Sequence, residues 1–236
     1  MVDTIREIIE QLHERCTTTL RHSLEDQFSS SNGASYSFCL DLDNWISALE
    51  GKPEQALLKT AASELALAFL NNCQGQYRNA FKGLRLCLEL ALQAVHLSTN
   101  LVSLQEWLTS QSDTSWSAII DEENGIFSKR FCRAFFPTAI DHAAPLRSLS
   151  QTLYREMSEC IHGNVPNKIP LPSTISFDPD TFQLWHSKAA TLRYIAIFAL
   201  TVRYFAALDT DGKDKVRPAI LEQLGTMQVF RNAIEG

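Results

Sequence analysis

The chain has no cysteine pair of the C-x-x-C type: Cys16, Cys39, Cys73, Cys87, Cys132 and Cys160 are scattered. Neither a zinc knuckle nor a redox dithiol can be read from that spacing, and small apolar core residues in a reducing compartment fit better. The sequence also lacks G-x-x-x-x-G-K-[ST], G-x-G-x-x-G, H-E-x-x-H and G-x-S-x-G, which argues against nucleotide hydrolysis by a P-loop and against serine hydrolysis. No cofactor and no metal site is expected. Basic charge is short: 21 Lys and Arg stand against 27 Asp and Glu, for a net charge of -6. A protein that wraps duplex nucleic acid needs clustered cations, so direct nucleic-acid binding is disfavoured except at local patches. Long apolar runs are missing as well. Lys188, Arg193 and Arg203 interrupt Phe182 to Leu208 and leave only the nine residues Tyr194 to Val202 uncharged, too few for about 30 Å of hydrocarbon. A buried core helix is expected there, and no membrane partner. Asp3, Arg6, Glu7 and Glu10 leave no room for a signal-peptide segment, so the expected location is cytoplasmic.

The 236 residues, 45% of them hydrophobic, suffice for a substantial core. Helical periodicity appears first at Ile5, Ile8, Ile9, Leu12, Cys16 and Leu20, which line one face. This predicts an amphipathic N-terminal helical arm within residues 1–28. Ser29 to Ser35, with Asn32-Gly33 inside, reads as a flexible loop, and the bundle proper is expected over 37–236. Asp43 suits the cap of a short helix through Leu49, and Pro53 the first turn of a helix reaching about Asn72. Apolar helices are predicted over Gln76 to Ser98 and then through Trp107. Gly125, Pro137 and Pro145 punctuate a covering segment rich in phenylalanine. A helix resumes from Leu146 to Ile161 and stops at Gly163. A proline-rich crossover spans 163–180, and two last helices, Thr181 to Leu208 and Pro218 to about Ile234, are joined by Asp209 to Gly212. That turn begins like a calcium loop but lacks the third acidic ligand and the distal Glu. No strand pattern is present, so the predicted class is all-α, a multi-helix bundle.

Three constellations carry candidate chemistry. Arg78, Arg85, Glu89 and His96 form a polar stripe on an otherwise leucine-rich helix; charges so placed are costly to bury unless paired, which predicts an Arg85–Glu89 ion pair at a helix interface. Arg155 and His162 are seven apart, about 20° off one helical face, with Glu159 between them. An Arg can grip a phosphate and a His can move a proton near neutral pH, the minimal equipment for metal-independent RNA cleavage. On spacing alone a His at the negative end of a helix, with Arg155 in a surface pair, is the favoured reading. Finally, Lys129, Arg130 and Arg133 interleave with Phe127, Phe131, Phe135 and Phe136. This is either a nucleic-acid or partner contact, or a helix with a buried Phe face and a solvated basic one.

The Arg155 to His162 segment, with six intervening residues, resembles the HEPN superfamily, helical bundles whose ribonuclease members carry Arg, four to six residues, then His on one helix. The string Leu153-Tyr154-Arg155-Glu156-Met157-Ser158-Glu159-Cys160-Ile161-His162-Gly163, following the helix Leu84-Arg85-Leu86-Cys87-Leu88-Glu89-Leu90, is also similar to helical proteins of bacterial defence loci. The resemblance covers roughly residues 55–205. It implies either an RNA-cleaving toxin or a non-catalytic subunit of an antiphage or antiplasmid assembly, with other protein subunits such as an ATPase or nuclease as partners. In the enzyme version Arg155 holds phosphate, His162 is general acid or base, Glu159 orients the His, and two facing motifs imply a homodimer. The family typically has Asn, Asp or His after the Arg, where this chain has Glu156. An acidic group there repels RNA phosphate and favours the accessory-subunit reading.

Overall fold

The computed structural model describes residues 4–113, 115–162 and 171–235, apart from the side chains at 162 and 235. Its described residues form α-helices and short 3-10 turns with no strand, as the periodicity predicts. The first five helices are α1 (Ile5–Ser23), α2 (Ser29–Ala48), α3 (Gln55–Cys73), α4 (Tyr77–Leu97) and α5 (Leu101–Leu108). Then come α6 (Trp116–Ile119), α7 (Lys129–Phe135), α8 (Ile140–His162), α9 (Pro179–Tyr204), α10 (Thr210–Leu224) and α11 (Gln228–Glu235). The expected positions of Gly163 and the first half of the crossover lie outside the described residues.

Cross-helix contacts give the topology. Ser31–Gln183, Ser35–His186 and Asp41–Arg193 advance together along α2 and α9, so these helices run parallel. Ala80–Trp185 and Ser98–Arg203 do the same for α4 and α9. Arg78–Ile161 and Arg85–Tyr154 advance in opposite senses, so α8 lies antiparallel to α4. The α3–α4 hairpin packs closely because a Cβ on Gly83 would come within 2.9 Å of the Ala68 methyl. Its turn uses Gly75 at φ +73°, where an added Cβ would meet Thr19 and the Ser176 carbonyl at 2.8 Å. Glycine is thus demanded twice there, by conformation and by the approach of α1.

At the centre stands α9, where Trp185, Leu192, Ile195, Phe198 and Leu200 are fully buried. Pro179–Ala207 has the length and apolar composition of a membrane span, but the protein itself buries 72% of its most apolar window. It is the core helix expected from the sequence. Phe127, Phe131, Cys132 and Phe136 join the same core, so the segment around α6 and α7 covers the bundle, also as expected. All six cysteines are free thiols. Burial pushes those of Cys39, Cys132 and Cys160 up to about 11, consistent with packing residues rather than nucleophiles.

Four local expectations are overturned. Ser29 to Ser35 is not a loop: it is the first third of α2, because Ser31 and Ser35 bond to α9 and Asn32 donates to the Ser23 carbonyl. Asp43 consequently lies inside α2 and caps nothing. Pro145 does not precede a helix but sits within α8. It is solvent-facing near the helix start, and the carbonyl it leaves unbonded, that of exposed Asp141, can turn to water. Lastly, the Asp209 to Gly212 turn is the start of α10: Asp209 Oδ1 accepts from the Gly212 N–H at 2.8 Å. The expected final helix is therefore divided into α10, containing Pro218, and α11.

Candidate interaction interface

The apolar stripe of α1 has two halves with different fates. Thr4 opens the helix with a capping box, its hydroxyl accepting from the Glu7 N–H while the Glu7 carboxylate accepts from the Thr4 N–H. Thr19 and Ser23 are buried and Cys16 and Leu20 half-buried. They face Gly75, Gln76 and the small cluster of Phe28, Cys73, Tyr77 and Phe182. His22 stacks on Phe177 with centroids 5.9 Å apart. Every residue from Thr4 to Arg15 is exposed, although the same stripe continues there. Ile5 is 73%, Ile8 43%, Ile9 59% and Leu12 45% exposed. The helix thus projects beyond the body, carrying large aliphatic side chains into solvent.

Three of the four residues of the predicted polar stripe on α4 converge on α8. Arg85 pairs with Glu89 at 3.0 Å, the two side chains being 22% and 28% exposed. The same guanidinium donates to the Tyr154 hydroxyl at 2.6 Å and lies over its ring, and Trp116 stacks on the ring's other side at 4.2 Å. Arg78 donates to the Ile161 carbonyl at 2.8 Å, a cation on the C-terminal turn of α8. His96 is elsewhere, in a hollow with Asn124, Arg130 and Phe135, where burial lowers its pKa. Arg155 is exposed and Glu159 half-buried on α8; the His162 side chain, and with it the expected Arg155–His162 pairing, lies outside the described residues. Glu156, the departure from the HEPN pattern, accepts from Lys188 on α9 at 2.7 Å. This ties α8 to the core helix.

On α7 the cations Lys129, Arg130 and Arg133 are exposed while Phe131 and Cys132 are buried. Ser128 caps this helix by accepting from the Phe131 N–H, and Arg130 donates to the Asn124 side chain at 2.7 Å. Phe127 and Phe136 are also buried, and Phe135 lies under Arg203. These rings are occupied by the protein itself, so the solvated basic face carries no row of aromatics on which bases could stack.

Comparison with family models, with curated proteins and with solved structures gives no match. The residues themselves therefore carry the assignment.

Sequence reasoning passed over the polar seam between α2 and α9. Arg193 is 4% exposed; it bonds Asp41 at 2.6 Å and grips Glu222 of α10 through two 2.7 Å bonds. Above it, a cavity of about 320 Å3 is lined by Ser31, Ser35, Gln183, His186 and Ser187 among others. Ser35 Oγ lies 2.7 Å from His186 Nδ1, whereas buried His186 Nε2 has no partner among the described residues. The Phe182, Trp185 and Phe69 rings surround the imidazole edge-on. Burial holds its pKa down at about 4, so the ring is neutral at pH 7. The one available signal was Arg193 in the middle of an apolar run, since a guanidinium there requires a carboxylate partner. Its partners lie on two distant helices that spacing cannot reach.

Proposed function

We propose that the chain is a non-catalytic helical interaction module that docks on another protein subunit through the projecting half of α1. The observation that carries this reading is the single stripe whose second half is packed on the body while Ile5, Ile8, Ile9 and Leu12 are left in water. Exposed aliphatics scattered singly need no explanation, but four aligned on one helix face form the helix-in-groove type of contact. The resemblance to helical proteins of bacterial defence loci extends the proposal to an accessory subunit of a multi-protein prokaryotic antiphage or antiplasmid complex. An ATPase or nuclease is the expected partner class. Involvement of the polar cluster at Arg78, Arg85 and Glu89 in holding α8 in place is consistent with a structural rather than catalytic use of that face.

The test is affinity purification of the tagged full-length chain from its native locus, with neighbouring genes intact, for the wild type and for Ile5→Asp/Ile9→Asp. A stoichiometric partner in the wild type that the variant loses, with thermal melting unchanged, is the expected result. Retention of the partner by the variant refutes docking through α1. Recovery of the chain alone or as a homodimer instead favours a HEPN-type ribonuclease, in which Arg155→Ala and His162→Ala each abolish RNA cleavage.

A further inference from the structure

The charges on α1 are sorted as closely as its apolar groups. Ile5, Ile9, Leu12, Cys16, Thr19 and Ser23 follow alternating steps of four and three, the spacing of a coiled-coil seam. Along that seam size changes with cover: the residues packed on the body are small, and those beyond it are large aliphatics. At about 100° per residue, Arg6 and His13 flank the projecting seam on one side, Ile8 and Arg15 on the other. Glu7, Glu10 and Glu14 fall on the outer face. In a chain of net charge -6, no carboxylate among the described residues of α1 borders this seam. Arg6 does bond Glu10 at 2.8 Å, but the side chains are 84% and 61% exposed, and such a pair yields readily to competition.

A second copy of α1 is a poor occupant, because its flanks, Arg6, Ile8, His13 and Arg15, offer the guanidinium groups of Arg6 and Arg15 no carboxylate to pair with. Resting on the interaction-module reading above, we propose that the partner segment is an amphipathic helix with an aliphatic heptad seam bordered by Glu or Asp, forming a short heterotypic coiled coil with residues 5–15. The twelve exposed residues Thr4 to Arg15 offer only about three turns of contact. With so little apolar area, the flanking charges decide which helix is accepted.

The full-length chain is titrated with two synthetic helical peptides sharing one leucine and isoleucine heptad seam, one bordered by Glu and the other by Lys. Fluorescence anisotropy should show the Glu peptide binding about tenfold tighter at low salt, with the preference shrinking as salt rises. Arg6→Glu/Arg15→Glu should reverse the preference, and Ile9→Asp should abolish binding of both. Equal affinities, preference for Lys, binding of neither peptide, self-association through α1 in sedimentation, or stronger binding to anionic vesicles overturns the proposal. The native complex separates this failure from that of the module reading. If Ile5→Asp/Ile9→Asp dissociates it and Arg6→Glu/Arg15→Glu does not, the docking helix stands and the acidic partner falls. If neither does, both fall.

Discussion

Removing the Asp41 carboxylate tests whether the α2–α9–α10 seam is a buried ion network or a surface decoration. The side chains of Arg193 and Asp41 are 5% and 10% exposed, whereas that of Glu222 is 57% exposed. Asp41→Ala strands a buried guanidinium with a single partner at the rim, and breaking such a pair costs about 3–5 kcal/mol. Glu222→Ala removes two bonds of equal length, yet water reaches that side of the fork, so the expected cost is about 1 kcal/mol or less. Distance alone would rank the two carboxylates equally; burial separates them. Arg193→Met combined with Asp41→Leu removes the charge together with its need for a partner, and should be less destabilising than Asp41→Ala alone. Urea unfolding at neutral pH, followed by helical circular dichroism, measures all three. The reasoning is refuted if Glu222→Ala costs as much as Asp41→Ala, or if Asp41→Ala costs less than about 1 kcal/mol.

His186 supplies a pH test. Its folded-state pKa of about 4 lies below the ordinary 6.5, so the folded state binds fewer protons than the unfolded chain between those values. Its contribution to stability is present above pH 6.5 and is lost as pH falls toward 4. His186→Phe, which keeps the aromatic packing but cannot titrate, should flatten the stability slope in that window, and an unchanged slope would sink the assignment. At the α4–α8 contact, Glu89→Ala should cost about 1 kcal/mol, because Arg85 keeps the Tyr154 hydroxyl and ring. A loss above about 3 kcal/mol in chemical denaturation would show that Glu89 is the guanidinium's essential support.

What could be read in advance followed local physics. The bounds of α4 and α5 and the end of α3 came from apolar periodicity and turn residues, and Arg85–Glu89 from i,i+4 spacing, since each depends on neighbours along the chain. Pro53, expected in the first turn of α3, lies just before its N-cap Glu54. The misreadings occur where distant contacts decide. Ser29 to Ser35 has poor helix propensity and a turn-like Asn32-Gly33, but hydroxyls that favour loops in isolation bond to α9 here. Pro145 and Pro218 stay within helices because each is exposed and the carbonyl it orphans faces water. Of the candidate sites, the stripe on α1 was visible as periodicity. Only the fold reveals that half of it is uncovered, and that Gly75 and the cluster of Phe28, Cys73, Tyr77 and Phe182 meet the other half.

The central position of α9 has a consequence for how the chain is made. Its rungs to α2 and α4 join residues separated by 105 to 152 positions, so the core cannot close until synthesis has passed residue 200. Until then the helical hairpin of α3 and α4 lacks the cover that α9 supplies. Long-range closure of this kind slows folding and leaves a sticky nascent chain. The molecule is thus most exposed to misassociation during the interval between emergence of its first hairpin and arrival of the helix that completes it.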